Sequence, residues 1–324
     1  MCPVDSRVLV TGGCGFIGSH LAHRLLRDGH EVRILDNLAT GSIENIRPFL
    51  DDVELIEGDI RSSEHVNRAT RGCDLVFHQA ALASVPGSVQ DPLANNASNV
   101  TGTLNVLLAA RDEGAQRVVF ASSSSVYGTD PELPKREAMA TLPNSPYAVS
   151  KQAAESYCRS FFHAYGLETV ALRYFNVFGP GQDPLSEYAA VVPKFITAML
   201  EGRRPMVFGD GEQTRDFIYI DNTVEANVLA STAEGAAGQA FNIACGDRIS
   251  LNDLLGEIRE LSGSDLSAQY LSARTGDIPH SLADISLARE ILDFNPEVQL
   301  REGLARTIEY HRGAGIAEQS KAQT

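Results

Sequence analysis

The segment Arg7–Gly29, "RVLVTGGCGFIGSHLAHRLLRDG", constrains the fold more than any other stretch of the chain. It starts with a short aliphatic run, typical of a buried strand, that stops at a group of glycines. Ile17, Leu21 and Leu25 then recur at helical spacing until Gly29 ends the pattern. A strand that leads through glycines into a helix opens a β-α-β unit, and the next apolar run, "EVRILD", supplies the second strand.

The same alternation continues along the first half of the chain. Strand-like runs recur at "VELIEGD", "DLVFHQA", "RVVFASS" and "TVALRYF", and amphipathic helical patterns lie near 92–114 and 147–165. Strands that alternate with helices form parallel sheets covered on both faces, and near-continuous apolar strands agree with such burial. We therefore predict an α/β protein with a doubly wound parallel sheet of the Rossmann type.

The regular pattern ends near residue 175, where proline and glycine become frequent at "FGPGQDP" and "FGDGEQT". We expect residues 1–175 to form the sheet domain, and 176–324 to form mostly a smaller, mixed α/β region that binds the substrate. Two strand-like runs, "FIYIDN" and "QAFNIA", predict that 215–245 returns to the main sheet. The small polar residues of 313–324 predict a loose tail.

The composition excludes several classes of function. A formal charge of −15 makes nucleic acid and anionic lipid unfavourable partners. No apolar run reaches the roughly 18 residues that a membrane span needs. The first residues, "MCPVDSRVLV", lack the features of a signal peptide, so we expect a cytoplasmic protein. The cysteines form no C-x-x-C pair, which favours reduced thiols and no metal site; they are Cys2, Cys14, Cys73, Cys158 and Cys245.

The glycines after the first strand have the spacing of a dinucleotide-binding turn. Gly12, Gly15 and Gly18 fit G-x-x-G-x-x-G, in which glycines let a pyrophosphate approach the backbone at the helix N-terminus. Asp36 ends the second strand 18 residues after Gly18, where an acid accepts hydrogen bonds from the ribose hydroxyls and repels a 2′-phosphate. The pattern therefore predicts NAD rather than NADP. Asp59, at the end of the third strand, is either an adenine contact or a helix N-cap.

The stretch "NSPYAVSK" combines a helix start with a pair of residues that can handle a proton. A serine and a proline suited to a helix N-terminus precede Tyr147, and Lys151 follows one turn later on the same face. Positive charges on Lys151 and on an oxidised nicotinamide would lower the pKa of the phenol from about 10, which makes it a general base. The run "SSSS" ends the preceding strand, and we expect Ser123 to hydrogen-bond the same hydroxyl.

Together these motifs resemble the extended short-chain dehydrogenases/reductases and, within them, the nucleotide-sugar 4-epimerases. The resemblance covers nearly the whole chain and rests on "TGGCGFIG", "HQAALASV", "NVTGTLNVL", "SSSSVYG", "YAVSK", "RYFNVFGPGQDP", "GDGEQTRDFIYIDN" and "RTGDIPHSLADIS". It implies 4-epimerisation of a nucleotide sugar through a transient 4-keto intermediate, with a tightly held NAD.

The resemblance also implies roles for individual residues. Tyr147 is the base, Lys151 binds the cofactor ribose and tunes the phenol, and Ser123 assists it, with Ser124 in the same hydrogen-bond network. The further cofactor contacts that it implies are Phe16, Ile17, Asn37, Ile60, Ala80, Asn99 and, near the nicotinamide, Tyr174.

Substrate-binding residues follow from the resemblance in the second half. Arg215 and Arg274 match the phosphate-binding arginines of the family, and a pyrophosphate needs such cations in so acidic a protein. Asn176 matches a substrate contact, and Asp277 is expected near the ribose. Ser281, in "PHSLAD", stands at the position that gates the sugar pocket, where relatives strict for UDP-glucose carry a bulky tyrosine.

Several substrates and reactions compete. The 4,6-dehydratases carry an acid pair where this chain has Ser124 and Ser125, and uronate decarboxylases tend to hold a glutamate at the latter position, so both are disfavoured. For UDP-glucuronate, Asp183 would repel the sugar carboxylate unless Arg203 or another cation comes into range. The small Ser281 leaves room for an N-acetyl group and favours UDP-N-acetylglucosamine/UDP-N-acetylgalactosamine, with UDP-glucose/UDP-galactose also accepted.

Two other classes of protein share these motifs: a nucleotide-sugar oxidoreductase that releases its reduced cofactor, and a non-catalytic NAD-binding regulator. The regulator predicts a broken Ser-Tyr-Lys set, which is intact here. The helices near 92–114 and 147–165 resemble the pair that forms a four-helix dimer interface in the family, which predicts a homodimer. The same apolar faces are also compatible with an ordinary core.

Overall fold

The computed structural model describes residues 6–184, 191–273 and 278–322, and of 314–322 it describes the backbone alone. The strands are β1 Arg7–Thr11, β2 Glu31–Asp36, β3 Glu54–Glu57, β4 Leu75–His78, β5 Arg117–Ser123, β6 Glu168–Tyr174, β7 Asn176–Phe178, β8 Met206–Phe208, β9 Thr214–Arg215, β10 Phe217–Tyr219, β11 Ala240–Ile243, β12 Ile249–Ser250 and β13 Gln269–Leu271. Seven of them form one sheet in the order β11-β6-β5-β4-β1-β2-β3. All its pairings are parallel, which confirms the predicted α/β fold.

The helices are α1 Phe16–Arg27, α2 Ser63–Thr70, α3 Val85–Gln90, α4 Pro92–Asn96, α5 Gly102–Asp112, α6 Pro146–Tyr165, α7 Val191–Leu200, α8 Ile220–Thr232, α9 Leu251–Ser262, α10 Ser286–Leu292 and α11 Leu300–Ala322. A π-helical turn, Ala97–Thr101, joins α4 to α5. The helical pattern near 92–114 is therefore two helices with a π turn between them, whereas α6 matches the predicted helix near 147–165.

Successive residues of β1 show why these strands are apolar without interruption. Val8 and Val10 pack into one buried cluster together with α1 and α8. Leu9 points to the other face and packs into a second cluster with α2, α5 and α6. Because alternate side chains face opposite sides of a strand, a sheet covered by helices on both faces requires an apolar residue at every position.

The described part of the second region contains three two-stranded sheets, β10 with β7, β12 with β9, and β13 with β8. The strand-like run "FIYIDN" was expected in the main sheet, but Phe217–Tyr219 pairs with Asn176–Phe178 instead. The run "QAFNIA" does join the main sheet, because Ala240–Ile243 takes the open edge of β6. Since β11 occupies that edge, no place beside β6 is left for β10.

Helix α11 extends to Ala322, so most of 313–324, which was expected to be loose, continues a helix. The alanine, glutamate, glutamine and lysine residues of this segment have high helix propensity. Their propensity outweighs the helix-destabilising effect of the glycines at 313 and 315. Within the described ranges, no helix is both long and apolar enough to cross a membrane.

Candidate active site

A cavity of about 710 Å³ opens at the carboxyl ends of β1, β2, β4, β5 and β6 and continues into the second region. In an open parallel sheet this edge is where ligands bind. The predicted site residues that line it are Gly12, Gly15, Phe16, Ile17, Gly18, Asp36, Asn37, Ile60, Ala80, Ser123, Ser124, Tyr147, Lys151, Tyr174, Asn176 and Arg215. Asp59, Asn99 and Ser281 lie beside the cavity lining, and Arg274 and Asp277 fall outside the described residues.

The glycine turn between β1 and α1 leaves no room for side chains. A Cβ at Gly12 would lie 2.7 Å from the backbone of Ala80, and one at Gly18 would collide with the carbonyl oxygen of Gly12. The backbone of Gly12 is also left-handed, with φ of 70°, a conformation that glycine adopts without strain. The N-terminus of α1 is therefore bare toward the cavity, and a diphosphate fits against its N–H groups.

Asp36 is held in place at the end of β2 by two backbone donors. Its Oδ2 accepts from Cys14 N at 2.9 Å and its Oδ1 accepts from Leu38 N at 2.8 Å. The carboxylate thereby ties the glycine turn to the loop after β2. It lines the cavity at the end of β2, the position from which an acid recognises a ribose hydroxyl in this type of fold. The residues present therefore fit a dinucleotide without a 2′-phosphate.

Asp59 is not the helix N-cap that the sequence left open as an alternative. Ser62 caps α2 instead, because its side chain accepts from His65 N. Asp59 accepts from Asn37 Nδ2 at 2.9 Å and pairs with the Arg61 guanidinium at 2.6 Å. That guanidinium holds the pKa of the carboxyl well below its usual range. Asp59 therefore orients Asn37, which lines the cavity.

The proton-handling pair stands on the first turns of α6. The helix begins at Pro146, and the side chain of Ser145 accepts from Ala148 N at 3.2 Å, as the sequence predicts. The phenol of Tyr147 hydrogen-bonds Ser123 at the end of β5. Burial raises the pKa of Tyr147 above its ordinary value, and the bond to Ser123 works in the opposite direction. On balance the surrounding protein groups do not make this phenol acidic.

Lys151 lies one turn after Tyr147 and is buried. Its Nζ donates to Ala121 O at 2.7 Å and stands 6.0 Å from the centroid of the Tyr147 ring. Burial lowers the pKa of Lys151 to about 8. Beneath it, His78 bonds Thr11 through Nδ1, and its pKa falls to about 3 through burial and the charge of Lys151. The imidazole is therefore neutral and leaves Lys151 as the positive charge at this point.

Tyr174 and Asn99 reach the site in different ways. The hydroxyl of Tyr174 donates to Asn227 Oδ1 at 2.9 Å, so its ring lines the cavity while its polar end is bound on the far side. Asn99 is buried and bonds both the backbone of Leu82 and Ser150 Oγ. It thus holds the cavity wall at Leu82 against α6 rather than facing the cavity itself.

In the second region, Asn176 Nδ2 donates to Asp216 O at 3.0 Å, and Arg215 Nη1 donates to Thr214 O at 2.8 Å. Ser281 N donates to Thr214 O at 3.0 Å, which sets the gate position directly beside β9. Arg215 is thus the predicted phosphate ligand that lines the cavity within the described ranges. It belongs to the second region, on the short strand β9.

Polar residues that the sequence analysis missed also line the cavity: Gln79, Ser125, Gln182 and Gln213. Ser125 Oγ, Gln182 Oε1 and Gln213 Oε1 are buried and have no hydrogen-bond partner among the described protein atoms. Buried polar atoms without partners are rare, so these three are candidates for ligand contacts. The signal was present in the motifs "GPGQDP" and "GDGEQT", where a glutamine follows glycines.

The sheet, the glycine turn and the Ser123-Tyr147-Lys151 set define a dinucleotide-binding protein of the extended short-chain dehydrogenase/reductase class. Residues 8–244 match the NAD dependent epimerase/dehydratase family. A UDP-glucose 4-epimerase of Mycolicibacterium smegmatis is 41% identical over 310 residues, which cover 94% of this chain and 98% of that protein.

Solved structures agree. The UDP-N-acetylglucosamine 4-epimerase of Methanobrevibacter ruminantium, in complex with UDP-N-acetylmuramic acid, superposes with a TM-score of 0.92 at 44% identity and covers 96% of this chain and 99% of that one. A Thermus thermophilus UDP-glucose 4-epimerase in complex with NAD gives a TM-score of 0.87 at 38% identity, with 95% of this chain and 99% of that one covered.

The chain therefore belongs to the NAD dependent epimerase/dehydratase family. The predicted resemblance to nucleotide-sugar epimerases of the extended short-chain dehydrogenase/reductase type is confirmed, and so is NAD as the cofactor. Because the family name spans epimerases and dehydratases, membership alone does not define the reaction; that depends on the residues in the cavity.

Proposed function

We propose that this protein is a NAD-dependent 4-epimerase of UDP-hexoses. The observation that carries the proposal is that one cavity is lined by the glycine turn, by the Ser123-Tyr147-Lys151 set and, from the second region, by Arg215. A dinucleotide fits the first, a sugar C4 hydroxyl fits the second, and a substrate diphosphate fits the third.

The mechanism assigns each step to a residue of the chain. NAD, when bound, supplies the hydride acceptor for C4 and a positive charge that lowers the pKa of the nearby phenol. Tyr147 takes the proton of the C4 hydroxyl and later returns it to the 4-keto oxygen, while Ser123 steadies the phenol. Lys151 keeps an ammonium near the phenol. Arg215 retains the diphosphate while the 4-keto sugar rotates. The rotation presents the opposite face of C4, to which the hydride returns.

For the substrate, we propose UDP-N-acetylglucosamine and UDP-N-acetylgalactosamine, with UDP-glucose and UDP-galactose also accepted. The small side chain at Ser281 supports this choice, because it leaves space at the gate beside β9. Gln182 Oε1 adds support, since an unpartnered buried acceptor in the cavity suits a hydroxyl or amide donor on the sugar.

UDP-glucuronate is the second candidate, and the charges of the cavity argue against it. Of the described residues that line the cavity, only Lys151 and Arg215 are cations, and the proposed mechanism uses both. Arg203, which could have paired with a sugar carboxylate, is instead bonded to Glu201 at the end of α7. Among these described lining residues, no further cation is left to balance a sugar carboxylate.

The test is to incubate the purified protein separately with UDP-N-acetylglucosamine, UDP-glucose and UDP-glucuronate, and to resolve the C4 epimers of each. We expect turnover of the first two. Turnover of glucuronate alone would overturn the substrate choice, and an absence of any C4 epimer would overturn the reaction.

Cofactor retention separates the epimerase from the other two classes. An epimerase regenerates its NAD in each cycle, so NAD should remain bound through purification without net reduction. Stoichiometric release of reduced cofactor on adding substrate would identify an oxidoreductase instead. Bound NAD that never changes redox state with any nucleotide sugar would favour the non-catalytic regulator.

We also propose that the protein is a cytoplasmic homodimer. Apolar side chains on the outer faces of α4 and α6 support the dimer: Leu93 is 81% exposed, Val149 50% and Tyr157 39%. A second copy of the chain would cover them with its own α4 and α6. Light scattering after size exclusion should give a dimer, and Leu93→Glu should give a monomer; a wild-type monomer at high concentration would contradict the proposal.

A further inference from the structure

The helix that carries Tyr147 and Lys151 continues on the same face with Glu155, one turn further on. Glu155 is mostly buried and forms an ion pair with Arg173, which is buried near the end of β6. Neither side chain lines the cavity. Burying an ion pair costs desolvation free energy, so a buried pair beside the site points to a role other than stability.

The contacts of Glu155 connect three elements at once. Its Oε1 accepts from Arg173 Nη2 at 2.5 Å, and its Oε2 accepts from Arg173 Nε at 3.0 Å and from Ser122 Oγ at 2.7 Å. Ser122 lies between Ala121, whose carbonyl binds Lys151, and Ser123, which bonds Tyr147. A single carboxylate therefore fixes α6 against the two strands whose ends hold the proton-handling residues.

The network does not stop at the ion pair. Arg173 Nη1 donates to the hydroxyl of Tyr127 at 2.8 Å, and that hydroxyl donates to Asn242 Oδ1 at 2.7 Å. Asn242 Nδ2 in turn donates to the carbonyls of Lys135 and Asp284. The last of these lies three residues after the gate position, so the pair has partners on the substrate side as well.

We propose that the Glu155–Arg173 pair is a positioning element for proton transfer: it holds α6 in the register that brings Tyr147 against Ser123 and Lys151 against Ala121. The inference rests on the proposed function, in which Tyr147 is the base. A fork of two hydrogen bonds from a guanidinium fixes both distance and direction, which a single contact does not. Misplacement of a catalytic group by about 1 Å costs on the order of 100-fold in rate.

The chain contains a matched control at the opposite end of the same two strands. Arg117, at the start of β5, is buried and pairs with Glu168, at the start of β6, at 2.6 Å. Its other donors bind the carbonyls of Ala230 and Ala233. Glu168 is the more exposed acid, with 45% of its side chain accessible against 15% for Glu155. The two pairs therefore match in type and both hold β6, but they differ in burial, and Glu155 lies on α6 whereas Glu168 lies on a strand.

The experiment compares Glu155→Gln with Glu168→Gln in the NAD-loaded protein. Glu155→Gln should lower kcat about 100-fold while KM for the UDP-sugar and the NAD content stay near those of the wild type. Its pH–rate profile should shift, because the substitution alters the surroundings of the Tyr147 phenol. Arg173→Lys should give an intermediate kcat, since lysine restores the charge without the fork. Glu168→Gln should leave kcat and the pH profile unchanged.

A readout without turnover separates this inference from the proposed function. Tyrosinate absorbance is titrated in each protein and in its Tyr147→Phe counterpart, so that the difference reports Tyr147 alone. Glu155→Gln should shift this titration and Glu168→Gln should not. An inactive wild type with the expected shift would refute the reaction and keep the positioning role. Unchanged kcat, profile and titration in Glu155→Gln would overturn the inference.

Ser122→Ala and Arg173→Lys carry the test if Glu155→Gln does not fold. Ser122→Ala removes one hydrogen bond to the carboxylate and leaves the ion pair whole, so the protein should fold. We expect it to lower kcat several-fold with unchanged KM and to shift the Tyr147 titration in the same direction. A wild-type kcat and titration in both variants would overturn the inference.

Discussion

The two halves of the cavity are built in different ways. The half that holds the glycine turn and Tyr147 rests on a seven-stranded sheet, and its residues follow directly from strand ends. The half that holds Asn176 and Arg215 rests on two-stranded sheets with strands of two or three residues. The sheet half can hold catalytic groups with little freedom, whereas the other half can vary its loops without disturbing the sheet. In the proposed function, chemistry and substrate choice are thereby assigned to different halves of one cavity.

The largest expected effect tests the sheet half. Tyr147→Phe removes the base and keeps the ring, so kcat should fall by about 10²–10⁴-fold while NAD stays bound. Steady-state kinetics and the absorbance of the bound cofactor measure both. Full activity in this variant would mean that another group takes the C4 proton.

The next effect tests the other half. Arg215→Gln removes the cation proposed to bind the diphosphate, and KM for the UDP-sugar should rise roughly 10- to 100-fold, the equivalent of one charge-assisted hydrogen bond. The control is Arg203→Gln, an exposed arginine bonded to Glu201 outside the cavity, which should change nothing. If Arg215→Gln lowered kcat and left KM unchanged, the separation between the halves would fail.

A smaller effect tests the gate. Ser281→Tyr adds a ring beside β9, and it should lower kcat/KM for UDP-N-acetylglucosamine about tenfold or more relative to UDP-glucose. Ser281→Ala keeps the space and serves as its control. Competition between the two substrates in one reaction measures the ratio, and an equal loss for both would show that Ser281 does not select by size.

The smallest effect concerns pH. Burial lowers the pKa of Lys151 from 10.5 to about 8, so its ammonium is present below that pH and is lost as the pH rises through it. Activity should fall about twofold between pH 7 and pH 8 and further above. The free energy of unfolding should instead rise with pH, because between pH 8 and 10.5 the unfolded chain keeps the proton that the folded chain has lost. The cost of burying the Lys151 ammonium therefore disappears over this range.

The variant Lys151→Met isolates the contribution of Lys151 to the pH dependence of stability from that of the other titrating groups. The difference in thermal midpoint between the variant and the wild type should shrink as the pH rises from 8 to 10. A difference independent of pH would contradict the buried ammonium.

Sequence patterns predicted the strand-end residues of the sheet half but not all of its lining, since Gln79 and Ser125 were missed. Gly12, Asp36 and Tyr147 stand at strand ends or helix starts, where periodicity and spacing fix the position of a side chain. The second half was harder, because its strands are too short to show a period. The partner of β10 depends on which later segment occupies the edge of β6, and the unpartnered oxygens of Gln182 and Gln213 depend on loop packing.

Glu155 was missed for a different reason. In the sequence it is one more polar residue on an amphipathic helix, and its partner Arg173 lies inside an apolar run. Only the crossing of α6 over β5 and β6 brings the two charges together. A buried pair between distant segments leaves no local signal for pattern reasoning to detect.

The position of β11 has a consequence for synthesis on the ribosome. Six strands of the sheet are complete by Tyr174, yet the seventh is Ala240–Ile243, so a nascent chain carries a bare edge of β6 until those residues emerge. An unpaired parallel edge is a template for association with other chains. Fragments that end between Tyr174 and Ala240 should therefore aggregate, whereas fragments that extend past Ile243 should remain dispersed.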